Sequence, residues 1–332
     1  MSKRFRTFRI EHLEARQMMA GDISAYVQNN TLFLREMAGQ GGLDNSVVVK
    51  QAGANTIRVT GNTTANGSTS LINGAAYSDF TFGVGAAIDF EFYFGNGNDM
   101  VIITEIDPTK INLDDIYINA GVSSAPANRD NDSVLVTFVE TIPTGSMSIV
   151  TGTCADWVYL DNVATGDFVY GGAVSIQTAD GADRVEVYNS TFRSDVYIAT
   201  STYGTSTEAY ADHVKMVNVN VDGDLLSVYL GGGNDTFLFD RVDVRDAYGF
   251  GNLLLDAGAG NDSGTIRNLS TRGLTTRLGE GSDSLSLDYI WANEMDVQGG
   301  GGTDSLSKTN IWVDNVFESG WETINGRPAW KS

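Results

Sequence analysis

Nine aspartates share one short sequence context, and their carboxylates are the side chains of this chain best suited to chemistry. They are Asp99, Asp132, Asp156, Asp183, Asp212, Asp235, Asp262, Asp283 and Asp304. If the segments that follow them stack in register, adjacent carboxylates lie one strand spacing apart. Each pair then repels by about 1 kcal/mol in water and about 3 kcal/mol near a protein surface. Calcium would offset this repulsion, because it takes about six to eight oxygen ligands from carboxylates and carbonyls.

Five of these aspartates close a complete Gly-x-Gly-x-Asp turn, and we predict that the calcium ligands are among them. They are Asp99, Asp235, Asp262, Asp283 and Asp304. Glycine adopts positive φ without a steric cost, which a sharp corner between strands requires. The aspartate can also accept hydrogen bonds from backbone amides beside it. The alternative is a turn without metal, in which the carboxylates are solvated.

The residues after each aspartate predict the element that positions it. Positions two and four after the aspartate are apolar, except at Gly264 and Lys308, and position seven is apolar except at Ser190. This alternation is typical of a strand with one buried face. The aspartates lie 21 to 33 residues apart, which leaves room for three strands and three corners but no helix.

Self-similarity at this spacing indicates a solenoid, in which each repeat buries its apolar stripe only by stacking on its neighbours. Crossovers between parallel strands are right-handed in nearly all proteins. We therefore predict an all-β fold, a right-handed single-stranded parallel β-helix of about 21–33 residues per coil. This architecture makes a conventional catalytic pocket a weaker expectation.

The same strand pattern predicts how the chain is organised. Residues 22–332 form a single β-helix domain, and residues 22–98 supply the first coils and a cap. Loop insertions are predicted near 107–122 and 197–209, where the spacing between aspartates is longest. The aromatic segment at about 312–332 is predicted to cap the C-terminal end, with Trp321 and Trp330 covering the core.

Asparagine recurs six residues after the aspartate, where it predicts a corner. The asparagines are Asn162, Asn189, Asn218, Asn268 and Asn310. Asparagine tolerates the left-handed backbone region. Stacked in register, these side chains are expected to pair amide to amide along the solenoid.

Composition excludes several functional classes. The net charge is −21 and the acidic residues are spread along the chain, whereas nucleic-acid binders need a basic stripe. The single cysteine, Cys154, excludes an intramolecular disulfide framework and a cysteine-rich zinc site. The two histidines, His12 and His213, argue against histidine-based metal or acid–base chemistry. No apolar run approaches the roughly 18 residues of a transmembrane helix, so we predict no membrane span.

Residues 1–21 differ from the rest because basic residues outnumber acidic ones there. The segment contains Leu13, Glu14, Ala15 and Arg16, followed two residues later by Met18-Met19. It resembles the LEPR-XLL leader of planctomycete-type exported repeat proteins, with alanine for the proline and methionines for the two leucines. The resemblance implies an export or sorting leader, disordered or helical, and an extracellular or cell-surface location.

The glycine turns also resemble the calcium repeats of RTX proteins, whose unit is Gly-Gly-x-Gly-x-Asp-x-apolar-x. The segment from Gly299 to Ser307 fits this unit throughout, and the turns at the other four aspartates lack only its first glycine. The resemblance implies Ca²⁺ as a cofactor. RTX turns recur every nine residues or so, whereas here one turn occurs per coil. The ligands would therefore have to come from vertically adjacent coils.

These features predict an exported structural or adhesive β-helix protein of the bacterial cell surface or matrix, stabilised by calcium. Its partners would be extracellular polysaccharide or other envelope proteins. The alternative is a polysaccharide lyase or hydrolase on the same scaffold. Its carboxylates would come from Asp161, Asp240 and Asp288, or from the charged cluster at 240–246. Pairing of exposed strand charges explains that cluster more simply, so no catalytic residue is assigned.

Overall fold

The computed structural model describes residues 22–37, 43–64, 67–121, 131–142, 144–166, 172–202, 210–245, 248–249, 251–325 and 327–328. The predicted leader at 1–21, residues 203–209 of the second predicted insertion, and Trp330 lie outside these ranges.

Within the described ranges the chain is all-β, as predicted, and contains no helix. The strands are β1 (Asp22–Gln28), β2 (Thr31–Glu36), β3 (Ser46–Gly53), β4 (Thr56–Gly61), β5 (Leu71–Ile72), β6 (Tyr77–Thr81), β7 (Ala87–Tyr93), β8 (Met100–Ile106), β9 (Asn112–Asn119), β10 (Ser133–Glu140), β11 (Met147–Val150), β12 (Trp157–Thr165), β13 (Val174–Gln177), β14 (Arg184–Tyr188), β15 (Thr191–Phe192), β16 (Val196–Ala199), β17 (His213–Val221), β18 (Leu225–Tyr229), β19 (Thr236–Val244), β20 (Asn252–Asp256), β21 (Ser263–Thr271), β22 (Gly273–Arg277), β23 (Glu280–Gly281), β24 (Ser284–Gln298), β25 (Gly301–Gly302), β26 (Ser305–Ser319), β27 (Thr323–Ile324) and β28 (Arg327–Pro328).

A first ladder of parallel strands begins at the nine aspartates. Strands β8, β10, β12, β14, β17, β19, β21, β24 and β26 each start directly after one of them and pair in that order. The position-two residues lie opposite one another at every step, for example Val101 with Val134 and Val134 with Val158. Strands β14 and β15 both pair with β12 and with β17, so these four form a small closed ring of pairings.

A second parallel ladder is formed by the strands that precede the turns. It runs through β7, β9, β11, β13, β16, β18, β20 and β22 and ends on the second halves of β24 and β26. Strand β9 lies where we predicted a loop insertion at 107–122, so that prediction is wrong. The strand is explained by its alternating apolar residues, since Leu113, Ile116 and Ile118 are buried. Strand β16 likewise occupies Val196–Ala199, at the start of the second predicted insertion.

The core lies between the two ladders, and the two exceptions to the apolar pattern at positions two and four, Gly264 and Lys308, have physical causes. A Cβ on Gly264 would lie 1.9 Å from Cζ of Phe237, so the ring from the neighbouring strand fills this space. Lys308 follows Leu287 in the first ladder, and Glu318 follows Val297 in the second. These two charged residues form an ion pair with each other. The last long strand therefore replaces two apolar core positions by a salt bridge, and inward-pointing charges of this kind discourage edge-to-edge association.

The two ends of the described chain differ from the parallel ladders. At the N-terminal end β1 pairs with β2, and β3 with β4 and β4 with β6, all antiparallel. At the C-terminal end Trp321 is buried and donates a 3.1 Å hydrogen bond from Nε1 to the carbonyl of Val297. Trp312 and Phe317, in the segment predicted to form the same cap, remain exposed.

Candidate functional site

The nine aspartates form one continuous hydrogen-bonded column. The backbone N–H of each aspartate donates to Oδ1 of the next aspartate along the chain, over 2.8 to 2.9 Å. At one end, the backbone N–H of Asn45 donates to Oδ1 of Asp99 over 2.7 Å. At the other end, the backbone N–H of Asp304 donates to Oε2 of Glu322 over 2.7 Å. The column therefore joins every strand of the first ladder to its neighbours through side chains as well as through backbone pairing.

The glycine turns beside the column are also stacked, and the backbones of successive turns are in close contact. A Cβ on Gly260 would lie 1.3 Å from the carbonyl oxygen of Gly233, and the φ of Gly260 is +144°. A Cβ on Gly281 would meet the carbonyl oxygen of Gly260 at 1.6 Å. Only glycine satisfies both the backbone conformation and the contact. The turns stack directly on one another, and this brings each aspartate beneath the amide of the one before it.

The column is buried, and burial raises the pKa of five of its carboxyl groups, those of Asp183, Asp235, Asp262, Asp283 and Asp304. All nine aspartates are at most 2% exposed. Burial raises the pKa of Asp235 and of Asp283 to about 6, and that of Asp262 to about 8. Burial also raises the pKa of Asp183 to about 10, although its Oδ2 accepts a 2.7 Å hydrogen bond from Thr178. In the free-energy balance, the loss of solvation outweighs the amide hydrogen bond that each carboxylate gains.

The second carboxylate oxygens at the C-terminal end of the column are enclosed. Among the described residues, the Oδ2 atoms of Asp235, Asp262, Asp283 and Asp304 are buried and accept no hydrogen bond. A carboxyl group in this setting is stabilised by protonation, because a buried charge without compensation is costly. This burial is the first cause of the raised pKa of the same four carboxyl groups.

Of the predicted calcium ligands, Asp235, Asp262, Asp283 and Asp304 occupy consecutive places in this column, and Asp99 lies at its far end. The Oδ1 atom of each accepts a backbone N–H, which leaves only Oδ2 as a ligand for a cation. In the part of the chain that the structure describes, no three His, Cys, Asp or Glu side chains are arranged to hold a metal ion. The calcium prediction stays a prediction, and this geometry gives it no support.

The predicted corner at position six is present, but its side-chain ladder differs from the prediction. All five asparagines there have φ between 48° and 59°. Only Asn218 pairs amide to amide, donating to Oδ1 of Asn189 over 2.9 Å. Asn189, Asn268 and Asn310 instead donate to an aspartate at position five of the preceding strand of the ladder, each over 2.9 Å. Those acceptors are Asp161, Asp240 and Asp288. A carboxylate is a stronger acceptor than an amide, which explains the preference.

The carboxylates considered for a polysaccharide-cleaving enzyme are thus engaged in the corner. Asp240 is 3% exposed and forms ion pairs with Arg267 at 2.9 Å and with Arg241 at 3.1 Å. Although burial raises the pKa of Asp240, hydrogen bonds from Asn268 and Arg267 outweigh it, and the pKa is lowered overall. Asp240 is therefore an ionised structural carboxylate, which suits neither the raised pKa nor the exposure of a general acid. Asp246 of the same cluster lies outside the described residues.

His213 and Cys154, the other two residues weighed for chemistry, both lie in the described part of the chain. Nδ1 of His213 lies 2.8 Å from Oγ1 of Thr236 on the adjacent strand. Burial lowers the pKa of His213. Cys154 is a free, half-buried thiol in a turn, with φ of 89°. Within the described part of the chain, neither side chain hydrogen-bonds to a carboxylate or imidazole that would activate it as a base or nucleophile.

Sequence reasoning missed a group of exposed aromatic residues at the C-terminal end, Tyr289, Trp291 and Trp312. The signal was present in the sequence, because Trp291 and Trp312 both stand eight residues after their aspartates. That position faces outward, where a large apolar side chain is unexpected.

Among the described residues, no helix is long and apolar enough to cross a membrane. In comparisons with known proteins, no protein-family model, no curated protein and no solved structure matches this chain.

Proposed function

We propose that the chain is an exported structural or adhesive protein whose strands wind as a right-handed parallel β-helix. The observation that carries this proposal is the unbroken column of aspartate hydrogen bonds along the first ladder. It couples nine successive strands into one body, about 38 Å long at a spacing of about 4.8 Å between strands. Such a body suits the display of a long lateral surface.

The two parallel ladders support the solenoid, because one chain that alternates between them must return to each ladder once per turn. The sequence spacing of 21 to 33 residues is the length of one such turn. The N-terminal segment that resembles a LEPR-XLL leader supports export. The acidic exterior supports a protein that stays dispersed in solution or in a matrix.

The long lateral surface is proposed to bind extracellular polysaccharide. One experiment measures adsorption and cleavage together. The full chain is incubated with immobilised neutral and acidic polysaccharides, and both the bound protein and the released sugar ends are measured. Adsorption without release is expected for an adhesive protein. Released reducing or unsaturated ends would favour the lyase or hydrolase alternative, and failure to adsorb to any polymer would count against the adhesive function.

The location is tested separately. Cells that express the full chain are fractionated, and the protein is sought in the medium and at the cell surface. Its retention in the cytoplasm, with residues 1–21 intact, would contradict export.

A further inference from the structure

Three exposed aromatic rings contact one another at the C-terminal end of the first ladder. The rings of Trp291 and Trp312 are stacked, with centroids 5.0 Å apart and an interplanar angle of 8°. The ring of Tyr289 lies 5.9 Å from that of Trp312 and 6.1 Å from that of Trp291. The three residues stay 42%, 44% and 49% exposed, for Tyr289, Trp291 and Trp312 in turn. Burial in the core therefore does not account for their presence.

The two tryptophans stand at the end of a row whose preceding three members are polar. Across the ladder, the residues aligned with them on the three preceding strands are Asn220, Asp243 and Ser270. The row then continues with Trp291 and Trp312. The change from polar to aromatic occurs at the same outward-facing place on two adjacent strands. Because the two rings stack face to face, the apolar surface that they present consists of their edges and the outer face of Trp312.

Tyr289 occupies a backbone position that does not favour an aromatic residue. Its φ is 56°, and the equivalent corner holds asparagine in five other segments. Residues other than glycine, asparagine and aspartate adopt this conformation at a cost. Glu105, Phe138 and Arg241 adopt the same conformation at this corner, so the stacked strands impose it. Here the side chain is held against Trp291 and Trp312.

A cleft of about 390 Å³ lies beside the tryptophans. Its lining includes Trp291 and Trp312 together with the polar side chains of Ser270, Asn293 and Asp314. An apolar surface with a few polar groups at its margin is the usual composition of a small-molecule site. Among the described residues, the following strand β27 pairs with β26 at Ser305 and Leu306 only, so no strand pairs with β26 at Trp312 on that side.

We propose that this aromatic platform, Tyr289, Trp291 and Trp312 with the adjoining cleft, binds a neutral polysaccharide of pyranose units. A pyranose ring presents a flat face of C–H groups that packs on an aromatic ring, and its hydroxyl groups match Ser270, Asn293 and Asp314. The inference rests on the proposed adhesive function and names its binding site.

The charge of the protein favours a neutral polysaccharide over an acidic one. The whole protein carries a net charge of −21, which repels polyanions at long range. Two arginines line the cleft: Arg245 is paired with Asp243, and Arg272 also has an interaction partner. A carboxylated or sulfated polymer would therefore meet the unfavourable field of the whole protein and would have to displace Asp243 to pair with Arg245.

The test uses soluble neutral oligosaccharides, namely cellohexaose, xylohexaose and mannohexaose, with oligogalacturonate as the acidic comparison. Binding to the full-length protein is measured by calorimetry and by tryptophan fluorescence. The double variant W291A/W312A is expected to bind the preferred neutral oligosaccharide at least about tenfold more weakly, which corresponds to about 1.4 kcal/mol. The variant F138N serves as the matched control, since Phe138 is an exposed aromatic residue with φ of 55° at the same corner of another segment. F138N is expected to bind like the wild type.

Three outcomes would overturn the inference. The first is equal binding by the wild type and by W291A/W312A. The second is preference for oligogalacturonate, and the third is loss of binding in F138N to the same extent as in the double variant. In each case the wild-type protein would still bind a glycan, so the adhesive function would survive. Binding of neither class, together with failure to adsorb to any polymer, would remove the function and the site together. Near-ultraviolet and far-ultraviolet circular dichroism of each variant verifies that the fold is retained.

Discussion

The backbone N–H of Asp262 donates a 2.8 Å hydrogen bond to Oδ1 of Asp283, which lies 21 residues further along the chain. Asp262 in turn accepts, through its own Oδ1, the N–H of Asp235. The side chain of Asp262 thus satisfies a buried backbone donor on the preceding strand of the ladder, while its own amide is satisfied by a side chain on the following strand. The column repeats this relationship from Asn45 to Glu322.

Two substitutions of Asp262 distinguish the contribution of its hydrogen bond to stability from the contribution of its charge. D262A removes the acceptor for the Asp235 N–H, and we expect it to lower the free energy of unfolding by about 1–3 kcal/mol, because a buried donor is left unsatisfied. D262N keeps an oxygen in the same place and removes the ionisable group, so we expect it to be at least as stable as the wild type at about pH 8. Thermal melting gives the comparison.

Hydrogen exchange gives the local check on the same pair. The Asp235 amide should lose protection in D262A and keep it in D262N. Equal melting temperatures and equal protection for the two variants would show that the hydrogen bond contributes nothing to stability.

The raised pKa values of the column predict a stability that falls with rising pH. Burial raises the pKa of Asp262 to about 8 and that of Asp235 and Asp283 to about 6, from an ordinary value of 3.8. The folded protein therefore holds protons that the unfolded chain has released. This contribution is complete below about pH 3.8 and is lost as the pH rises through about 6 and then about 8.

We accordingly expect a higher melting temperature at about pH 5 than at about pH 8, by about 2 °C for each kcal/mol. His213 acts in the opposite direction, since burial lowers its pKa and favours the neutral form at higher pH. The variant D262N isolates the aspartate contribution and should show a smaller pH dependence than the wild type. A melting temperature that rises from pH 5 to pH 8 in the wild type and in D262N alike would contradict the assignment.

Two glycines with positive φ test the stacking of the turns. In G260A the new Cβ would lie 1.3 Å from the carbonyl oxygen of Gly233, whereas around Gly249 a Cβ would meet nothing within 4 Å. Both substitutions place alanine at a positive φ, which costs about 1–3 kcal/mol. Only G260A must also separate two stacked turns, so we expect it to lose at least about 2 kcal/mol more than G249A. Similar unfolding energies in denaturant would mean that the turns are not in contact.

Removal of metal tests the calcium prediction directly. With each Oδ1 facing an amide, we expect the melting temperature to be the same in excess EDTA and in millimolar calcium. A bound ion would raise the free energy of unfolding by about 2.7 kcal/mol at 100 times its dissociation constant. A shift of that size, reversed by adding calcium back, would establish a metal site that the column geometry does not indicate. Magnesium at the same concentration is the control for ionic strength.

Much of this structure was predictable from the sequence, because its register depends on local residue types. The aspartates and the apolar residues at positions two and four set the first ladder, and asparagine at position six predicted the left-handed corner. Glu105, Phe138, Arg241 and Tyr289 adopt the same conformation without that signal. In those segments the stacked neighbours impose the corner on a residue that does not favour it.

The direction of the carboxylates was not predictable. A Gly-x-Gly-x-Asp turn can face an ion in solution or the amide of an adjacent strand, and its own residues do not distinguish the two. The choice depends on whether another strand, 21 to 33 residues away, presents an N–H at hydrogen-bonding distance. The strand at Asn112–Asn119 was mistaken for a loop because it precedes no turn of the same type.

Successive aspartates of the column are always connected by the same hydrogen bond, from a backbone N–H to Oδ1. This uniformity has a consequence for the length of the molecule. Excising the 21 residues from 263 to 283 would bring the amide of Asp262 to the carboxylate of Asp304, and the new contact would be chemically the same as the two it replaced. Loss or gain of a whole segment of this kind would therefore leave the hydrogen bonding of the column unchanged in kind. Size is an adjustable property of this architecture, while the two ends are specialised.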